Sequence, residues 1–308
     1  MRAKEKVLSF LILGFAILVF PHNLGEMLEG RSGIFVDAGV YSALGNPAGT
    51  IFTENWALTY GMMMEETPDL SSSEHNIFLV QPYQYGFAGA LRVWIRSDYG
   101  KMEDEPVDNT TLALSYSVST YILDRTSVGL GFNFYKAGTL EGDIYSFNTS
   151  VGFIAPIHDS IYFSGSIAGL LGWSNVQNPF FPDPIKIGFG LIALGRNGIL
   201  YVGNVVNAQP KDNEKPCLTL GGRGKIGFLD FGLYTDLEYS FEPFIEQKDL
   251  SSLPFEVISD VSFGLKLGFT FSGISTGFLG KLDLNDLNAK GLNETLMSRG
   301  GLYFSVEW

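Results

Sequence analysis

Side chains that could carry out chemistry are few in this 308-residue chain, and they are poorly placed to act together. The three histidines are His22, His75 and His158, and the last lies in His158-Asp159-Ser160, next to an acid and a serine. A Ser-His-Asp triad needs these groups to converge in space, which neighbours in one short turn cannot do. The chain also shows no phosphate-binding glycine loop and no metal-ligand spacing. We therefore predict no enzyme, no metal and no cofactor.

Charged residues instead alternate with apolar ones. Over residues 229–239, Leu229, Phe231 and Leu233 occupy one set of positions, and Asp230 and Asp236 occupy the other. Successive side chains of a strand point to opposite faces, and an Arg or Lys facing lipid at the midplane costs about 2–4 kcal/mol. The charged set must therefore face a lumen, either as pairs that fill a polar interior or as the lining of a solute path. The predicted lumen-lining charges are Arg92, Arg96, Lys186, Arg223, Lys225, Asp230, Asp236, Glu238, Lys266 and Glu307.

The elements that position these residues are strands. Alternating segments recur from residue 55 to residue 308, with short connections after even-numbered strands and long polar ones after most odd-numbered strands, such as 65–74, 98–109 and 171–183. This is typical of an all-β, transmembrane antiparallel β-barrel with short periplasmic turns and long external loops. We count about 14 strands, and 12 or 16 stay open as alternatives. The candidate strands are 55–64, 75–85, 87–97, 110–121, 126–137, 144–156, 160–170, 184–195, 199–207, 217–227, 229–241, 257–270, 273–283 and 300–308.

The start of the chain indicates export. Residues 1–25 combine a basic beginning with an apolar stretch, as a signal peptide does; an uncleaved anchor helix is the alternative. After residue 20, no run approaches the ~20 apolar residues of a spanning helix. The net charge of −13 comes without a basic patch, so nucleic acid is not an expected partner. The single cysteine, Cys217, excludes an intramolecular disulfide. We expect the protein in the cell outer membrane.

Aromatic residues mark two further features. Trp173, Phe180 and Phe181 form an apolar patch in a predicted loop, which could be a ligand groove or could dip into the lipid interface. The last strand alternates and finishes on an aromatic residue, which resembles the signal by which the barrel-insertion machinery recognises its clients. The residues of this predicted insertion signal are Phe304, Val306 and Trp308.

Residues 26–54 do not fit the strand alternation. They contain the turn-forming stretch Asn46-Pro47-Ala48-Gly49 shortly before the first strand. This stretch, after a Gly/Ala-rich segment, resembles the FadL-type long-chain fatty acid transporters and the related PorV-type barrels that serve secretion. The resemblance implies a fourteen-strand barrel with the N-terminal segment inside it as a plug. On this basis Asn46, Pro47, Ala48 and Gly49 are the plug motif, residues 1–25 the signal peptide, 26–54 the plug or periplasmic segment, and 55–308 the barrel.

Three functions compete. The leading hypothesis is a plugged barrel for uptake or passage of hydrophobic small molecules across the outer membrane. The first alternative is a non-catalytic accessory barrel that anchors a partner for secretion or envelope structure, and the second is a general diffusion porin. The expected partners are outer-membrane lipid, the barrel-insertion machinery and hydrophobic small molecules. Porins usually have more strands and no plug, so residues 26–54 argue against that alternative.

Overall fold

A closed barrel of antiparallel strands dominates the computed structural model, which describes residues 33–36, 45–66, 70–102, 105–123, 125–139, 142–175, 185–208, 215–239, 258–284 and 300–308. Fourteen strands lie in these ranges; each pairs with the next along the chain, and the last pairs with the first. The prediction of fourteen strands is confirmed, and the alternatives of twelve and sixteen are wrong. The strands are β1 (Ala57–Glu66), β2 (Leu70–Gln84), β3 (Phe87–Met102), β4 (Glu105–Leu123), β5 (Thr126–Thr139), β6 (Gly142–His158), β7 (Ile161–Ser174), β8 (Lys186–Gly195), β9 (Gly198–Asn207), β10 (Cys217–Ile226), β11 (Leu229–Tyr239), β12 (Ile258–Phe271), β13 (Ile274–Asp283) and β14 (Gly300–Glu307).

Two 3₁₀ helices, Gly33–Phe35 and Pro47–Phe52, precede β1. Within the ranges that the structure covers, no helix has both the length and the apolar character needed to cross a membrane. The predicted signal peptide, residues 1–25, lies outside the described residues.

The alternation in sequence becomes two faces of one sheet. In β11, Leu229, Phe231 and Leu233 are exposed on the outer face, whereas Asp230 and Asp236 are buried on the inner face. The same division holds in β12 and β13, whose exposed and buried residues alternate. Because the sheet closes on itself, its backbone groups are paired all the way round, and the apolar outer face can stand in lipid hydrocarbon.

Tight turns join the strands at one end of the barrel, which we call the turn end. In two of them, Tyr85-Gly86 and Ser272-Gly273, both residues have positive φ, with values of 55° and 95° and of 50° and 81°. This conformation belongs to the two-residue turn whose twist matches that of antiparallel strands, and it explains a glycine at the second position. The opposite end, the loop end, carries the connections after odd-numbered strands.

The loop end differs from the sequence expectation in one region. Residues 65–74 and 98–109 were expected to be long loops, but β2 already begins at Leu70, β3 runs to Met102 and β4 starts at Glu105. In sequence these stretches are mostly polar, so they lack the alternation by which membrane strands are identified. A strand that rises above the bilayer has water on both sides and needs no apolar face. The loop prediction is therefore wrong here.

The seam between β1 and β14 closes the barrel. Thr59 Oγ1 and Ser305 Oγ lie 2.8 Å apart on the inner face of this seam. At the turn end the Trp308 amide donates to the Trp56 carbonyl at 3.1 Å, and the two indole rings stack with centroids 6.4 Å apart. Of the predicted insertion signal, Phe304 is exposed on the outer face and Trp308 is exposed at its end.

Candidate functional site

The Asn-Pro-Ala-Gly stretch lies inside the barrel. Asn46 caps the 3₁₀ helix Pro47–Phe52, since its side chain accepts a hydrogen bond of 3.1 Å from the Ala48 amide. Asparagine is a favoured cap and proline is suited to the first helical position, because its fixed φ fits and its missing N–H would find no helical partner. The helix is buried from Pro47 to Ile51. It packs against the inner faces of β4, β5 and β6.

Glycines in the barrel wall make room for this turn. A Cβ atom on Gly129 of β5 would overlap the backbone of Pro47 and Ala48, and one on Gly152 of β6 would overlap the Asn46 side-chain oxygen. The backbone of the wall therefore touches the backbone of the inner segment directly. Any larger residue at either glycine must displace the turn.

Serines of the same wall supply the hydrogen bonds. The Asn46 amide donates to Ser164 Oγ at 2.6 Å, and Ser127 Oγ donates to the Ala48 carbonyl at 3.1 Å. Thr50 Oγ1 donates to the Pro47 carbonyl at 3.0 Å and lies 2.6 Å from Ser119 Oγ. Since Thr50 has one hydroxyl proton, Ser119 must be the donor in that last pair.

The earlier 3₁₀ helix makes a second contact with the wall. Ile34 and Phe35 are buried with Val205 and Cys217, so the lone cysteine is a small apolar contact. Ser166 Oγ donates to the Phe35 carbonyl at 3.2 Å. Residues 33–36 and 45–52 thus contact the inner wall at two separate places.

Inward charges on β2 and β3 are held by polar and charged neighbours. Arg92 is only 5% exposed, and its guanidinium donates to Asn76 Oδ1 at 2.7 and 2.9 Å. The Asn76 amide donates in turn to Glu74 Oε1 at 2.7 Å. Nearer the loop end, Arg96 pairs with Asp98 at 2.8 Å.

A second group of paired charges lies on β10 to β14. Lys266 Nζ is 2.8 Å from Asp230 Oδ2, and their side chains are 10% and 6% exposed. Tyr303 donates to the same carboxylate at 2.9 Å. Lys281 and Asp236 form another buried pair at 3.5 Å. Each buried charge in these two pairs therefore has an opposite charge beside it.

Toward the turn end, a cavity of about 310 Å³ lies below the inner segment. Phe52 and Asn55 lie on its segment side, and Lys225 and Glu307 form an ion pair of 3.3 Å on its wall. Phe52 itself packs edge-to-face on Tyr162, with ring centroids 5.3 Å apart. The inner segment is therefore fixed to β7 at the edge of this cavity.

The remaining predicted residues are more scattered. Lys186, Arg223 and Glu238 are half-buried on β8, β10 and β11. Trp173 belongs to β7 rather than to a loop, and it pairs with Phe147 on the outer face with 58% exposure. Phe180 and Phe181 lie outside the described residues. Among the residues that are described, no group of three His, Cys, Asp or Glu side chains could hold a metal ion.

Sequence reasoning missed the wall that receives the inner segment. Its signal was present: on β4 to β7, many of the positions between apolar residues are glycine or serine. The members facing inward are Ser115, Ser117, Ser119, Ser127, Gly129, Gly131, Ser150, Gly152, Ser164 and Ser166. It also missed Glu74 and Lys281, which partner the predicted charges.

These features define a class: an antiparallel outer-membrane β-barrel of fourteen strands with an N-terminal segment packed inside. Solved structures with the same fold exist. The Pseudomonas putida toluene transporter TodX aligns with a TM-score of 0.58 and 10% identity, over 92% of this chain and 98% of that one. A Pseudomonas aeruginosa FadL homologue aligns with a TM-score of 0.54 and 11% identity, over 94% and 98%. The chain has the FadL-type barrel fold.

Sequence comparison adds nothing to this assignment. No protein-family model matches the chain, and no curated protein matches it.

The packing of the inner segment against Gly129 can be tested by disulfide cross-linking. In a chain carrying Cys217→Ala, Thr50→Cys and Ser119→Cys, we expect a disulfide between segment and wall. Gly129→Ala should abolish it, because the added Cβ overlaps the Pro47 and Ala48 backbone. Gly138→Ala, on the same strand but with no atom closer than 3.6 Å to its added Cβ, is the matched control. Equal cross-linking yields in both variants, measured on non-reducing gels, would contradict the packing described here.

The buried ion pair makes a second prediction. Asp230→Asn removes the carboxylate that pairs with buried Lys266, and we expect the free energy of unfolding to fall by about 3–5 kcal/mol. Glu307→Gln breaks the more exposed pair with Lys225 and should cost about 0–1 kcal/mol. Urea titration of the two refolded variants in lipid vesicles measures the difference, and equal losses would show that the lumen around Lys266 is hydrated.

Proposed function

We propose that this barrel passes hydrophobic small molecules across the outer membrane, and that residues 45–54 act as a plug that closes the aqueous route. One observation carries the proposal. The Asn46–Gly49 turn packs against glycines of the barrel wall and is hydrogen-bonded by its serines. A wall built from residues without bulky side chains has no packing value of its own. It is explained by the segment that fills it.

The hydrogen bonds between the wall and the inner segment are weak enough in sum to let the plug move. Four wall-to-segment hydrogen bonds hold it, made by the hydroxyls of Ser119, Ser127 and Ser164 and by the Phe153 carbonyl. At about 0.5–1.5 kcal/mol net for each bond, they contribute roughly 2–6 kcal/mol together. That is enough to keep the closed state dominant. A ligand that binds the open state more tightly by a similar amount can still shift the population.

The lumenal charges favour a hydrophobic cargo over an ionic one. Arg92 is buried with its guanidinium hydrogen-bonded to Asn76, and Lys266 is buried and paired with Asp230 on the neighbouring strand. Paired charges stabilise a filled interior when their remaining hydrogen-bonding groups are satisfied. A diffusion porin would instead need a hydrated lining along the whole lumen, which the inner segment interrupts.

The fold comparison supports the same substrate class. TodX is a toluene transporter and shares the fourteen-strand fold at 10% identity. The likeness concerns the fold, so toluene serves here as a probe of the substrate class.

Uptake of radiolabelled toluene tests the proposal in cells that lack other channels for hydrocarbons. We expect initial uptake to rise when the full chain is expressed. In the variant with Cys217→Ala, Thr50→Cys and Ser119→Cys, oxidation should return uptake to background, and a reductant should restore it, because the disulfide holds the plug against the wall.

The matched control joins wall to wall. Thr59→Cys with Ser305→Cys links two facing positions of β1 and β14 without touching the plug, so oxidation should leave its uptake unchanged. If folded wild-type chain gives no uptake, the transport proposal is wrong, and an accessory role remains. If uptake of a hydrophilic sugar rises instead, the porin alternative replaces it.

A further inference from the structure

An exposed cation at the turn end contacts an inward-facing residue of the barrel wall. Arg125 lies directly before β5, and its guanidinium reaches past β6 to the beginning of β7. There it donates a hydrogen bond of 3.0 Å to the Tyr162 hydroxyl, and its central carbon lies 5.7 Å from the centroid of the Tyr162 ring. A charged donor at the surface therefore holds a side chain that points into the lumen.

The guanidinium is itself fixed by the turn between β6 and β7. Arg125 donates to Asp159 Oδ1 at 3.1 Å and to the Asp159 backbone carbonyl at 2.7 Å. The Asp159 carboxylate is almost fully exposed, so this ion pair contributes little stability by itself. Its effect is geometric, because a planar guanidinium that makes three hydrogen bonds is held in one orientation.

Tyr162 connects this cation to the inner segment. The tyrosine is buried in the same apolar cluster as Ala48, and the Phe52 ring packs edge-to-face on it with centroids 5.3 Å apart. Ala48 lies near the beginning of the 3₁₀ helix Pro47–Phe52, and Phe52 is its last residue. We call the chain of contacts from Arg125 through Tyr162 to Phe52 the latch.

The latch differs from the other contacts of the inner segment in where it can be reached. The wall serines bond to Asn46, Ala48 and Thr50, which are all buried inside the barrel. Phe52, by contrast, packs on a tyrosine whose buried hydroxyl needs a hydrogen-bond partner, and Arg125 at the protein surface supplies it. The ring on which Phe52 packs is therefore positioned from the aqueous side of the turn end.

We infer that Arg125 is a positioning residue for the plug: by holding Tyr162 against Phe52, it stabilises the closed state from the turn end. This inference rests on the proposed role of residues 45–54 as a plug, and it adds the place from which release of the plug is controlled. Arg125 acts through Tyr162 and does not itself have to touch the plug. Its loss should shift the population toward the open state without changing the barrel wall.

Thiol labelling measures release of the plug without any cargo. In the full-length chain with Cys217→Ala and Thr50→Cys, the single cysteine is buried between plug and wall, so N-ethylmaleimide reaches it when the plug moves away. We expect Arg125→Gln to raise the labelling rate about tenfold, the order expected when a hydrogen bond from a charged group is lost. Mass spectrometry of the intact chain measures the rate, and heat-modified gel mobility shows that each variant is folded.

Lys136→Gln is the matched control. Lys136 lies on the same strand at the loop end, where it pairs with Asp143 at 2.8 Å and its ammonium lies 5.7 Å from the centroid of the Tyr145 ring. It thus has the same kinds of contact as Arg125, but it belongs to the outer end of the barrel and not to the latch. We expect this change to leave the labelling rate of the Thr50→Cys chain unaltered.

A double-mutant comparison separates positioning through Tyr162 from a general loss of stability. Tyr162→Phe keeps the ring that Phe52 packs on and removes the hydroxyl that accepts from Arg125. Independent changes would multiply their effects on the rate. Because Arg125 acts through this hydroxyl, we expect the combined variant to label more slowly than the product of the two single effects predicts.

Equal labelling rates for Arg125→Gln and Lys136→Gln would overturn the inference, and so would a combined effect equal to that product. Toluene uptake is measured separately on the chain with the native residues at these positions. Slow labelling of the Thr50→Cys chain, accelerated by Arg125→Gln, together with no toluene uptake would support the latch and contradict the transport proposal. The two failures are therefore distinguishable.

Discussion

The backbone of this protein must satisfy its hydrogen bonds without water, and the rest of the structure depends on that constraint. Within hydrocarbon an unpaired N–H or C=O group is too costly, so the sheet has to close on itself. Closure at the seam of β1 and β14 removes the last free edges. It also forces every strand to present one face to lipid and one to the interior. The apolar residues of β11 and the acids between them are the direct result.

Closing fourteen strands leaves an interior wider than the wall side chains alone can fill. Two kinds of filling divide this space. On β2–β3 and β10–β14 long charged residues reach inward and neutralise each other, as Lys266 and Asp230 do. On β4–β7 many inward-facing residues are glycine or serine, and the 3₁₀ helix Pro47–Phe52 fills the space that these small residues leave. The glycine-rich strands therefore also place the inner segment on one side of the barrel.

The sequence predicted the parts of the structure that follow from local alternation. Strand number and the inward direction of Asp230 and Lys266 belong to this group, since lipid penalises charge on one face. Residues near 98–109 were misjudged, because a strand above the bilayer meets water on both faces and loses its alternation. The contact of Pro47 with Gly129 also could not be predicted from the sequence. It joins residues more than eighty positions apart, and no local pattern tells which wall a segment inside a barrel will touch.

The central claim is that residues inside the barrel close its aqueous path, and single-channel recording in a planar lipid bilayer tests it most directly. The refolded full-length chain is inserted at known density, with folding shown by heat-modified gel mobility. Our account predicts silence, because the proposed plug interrupts the column of water through the lumen. Stable ion-conducting steps from the folded protein would contradict it and would identify an open pore.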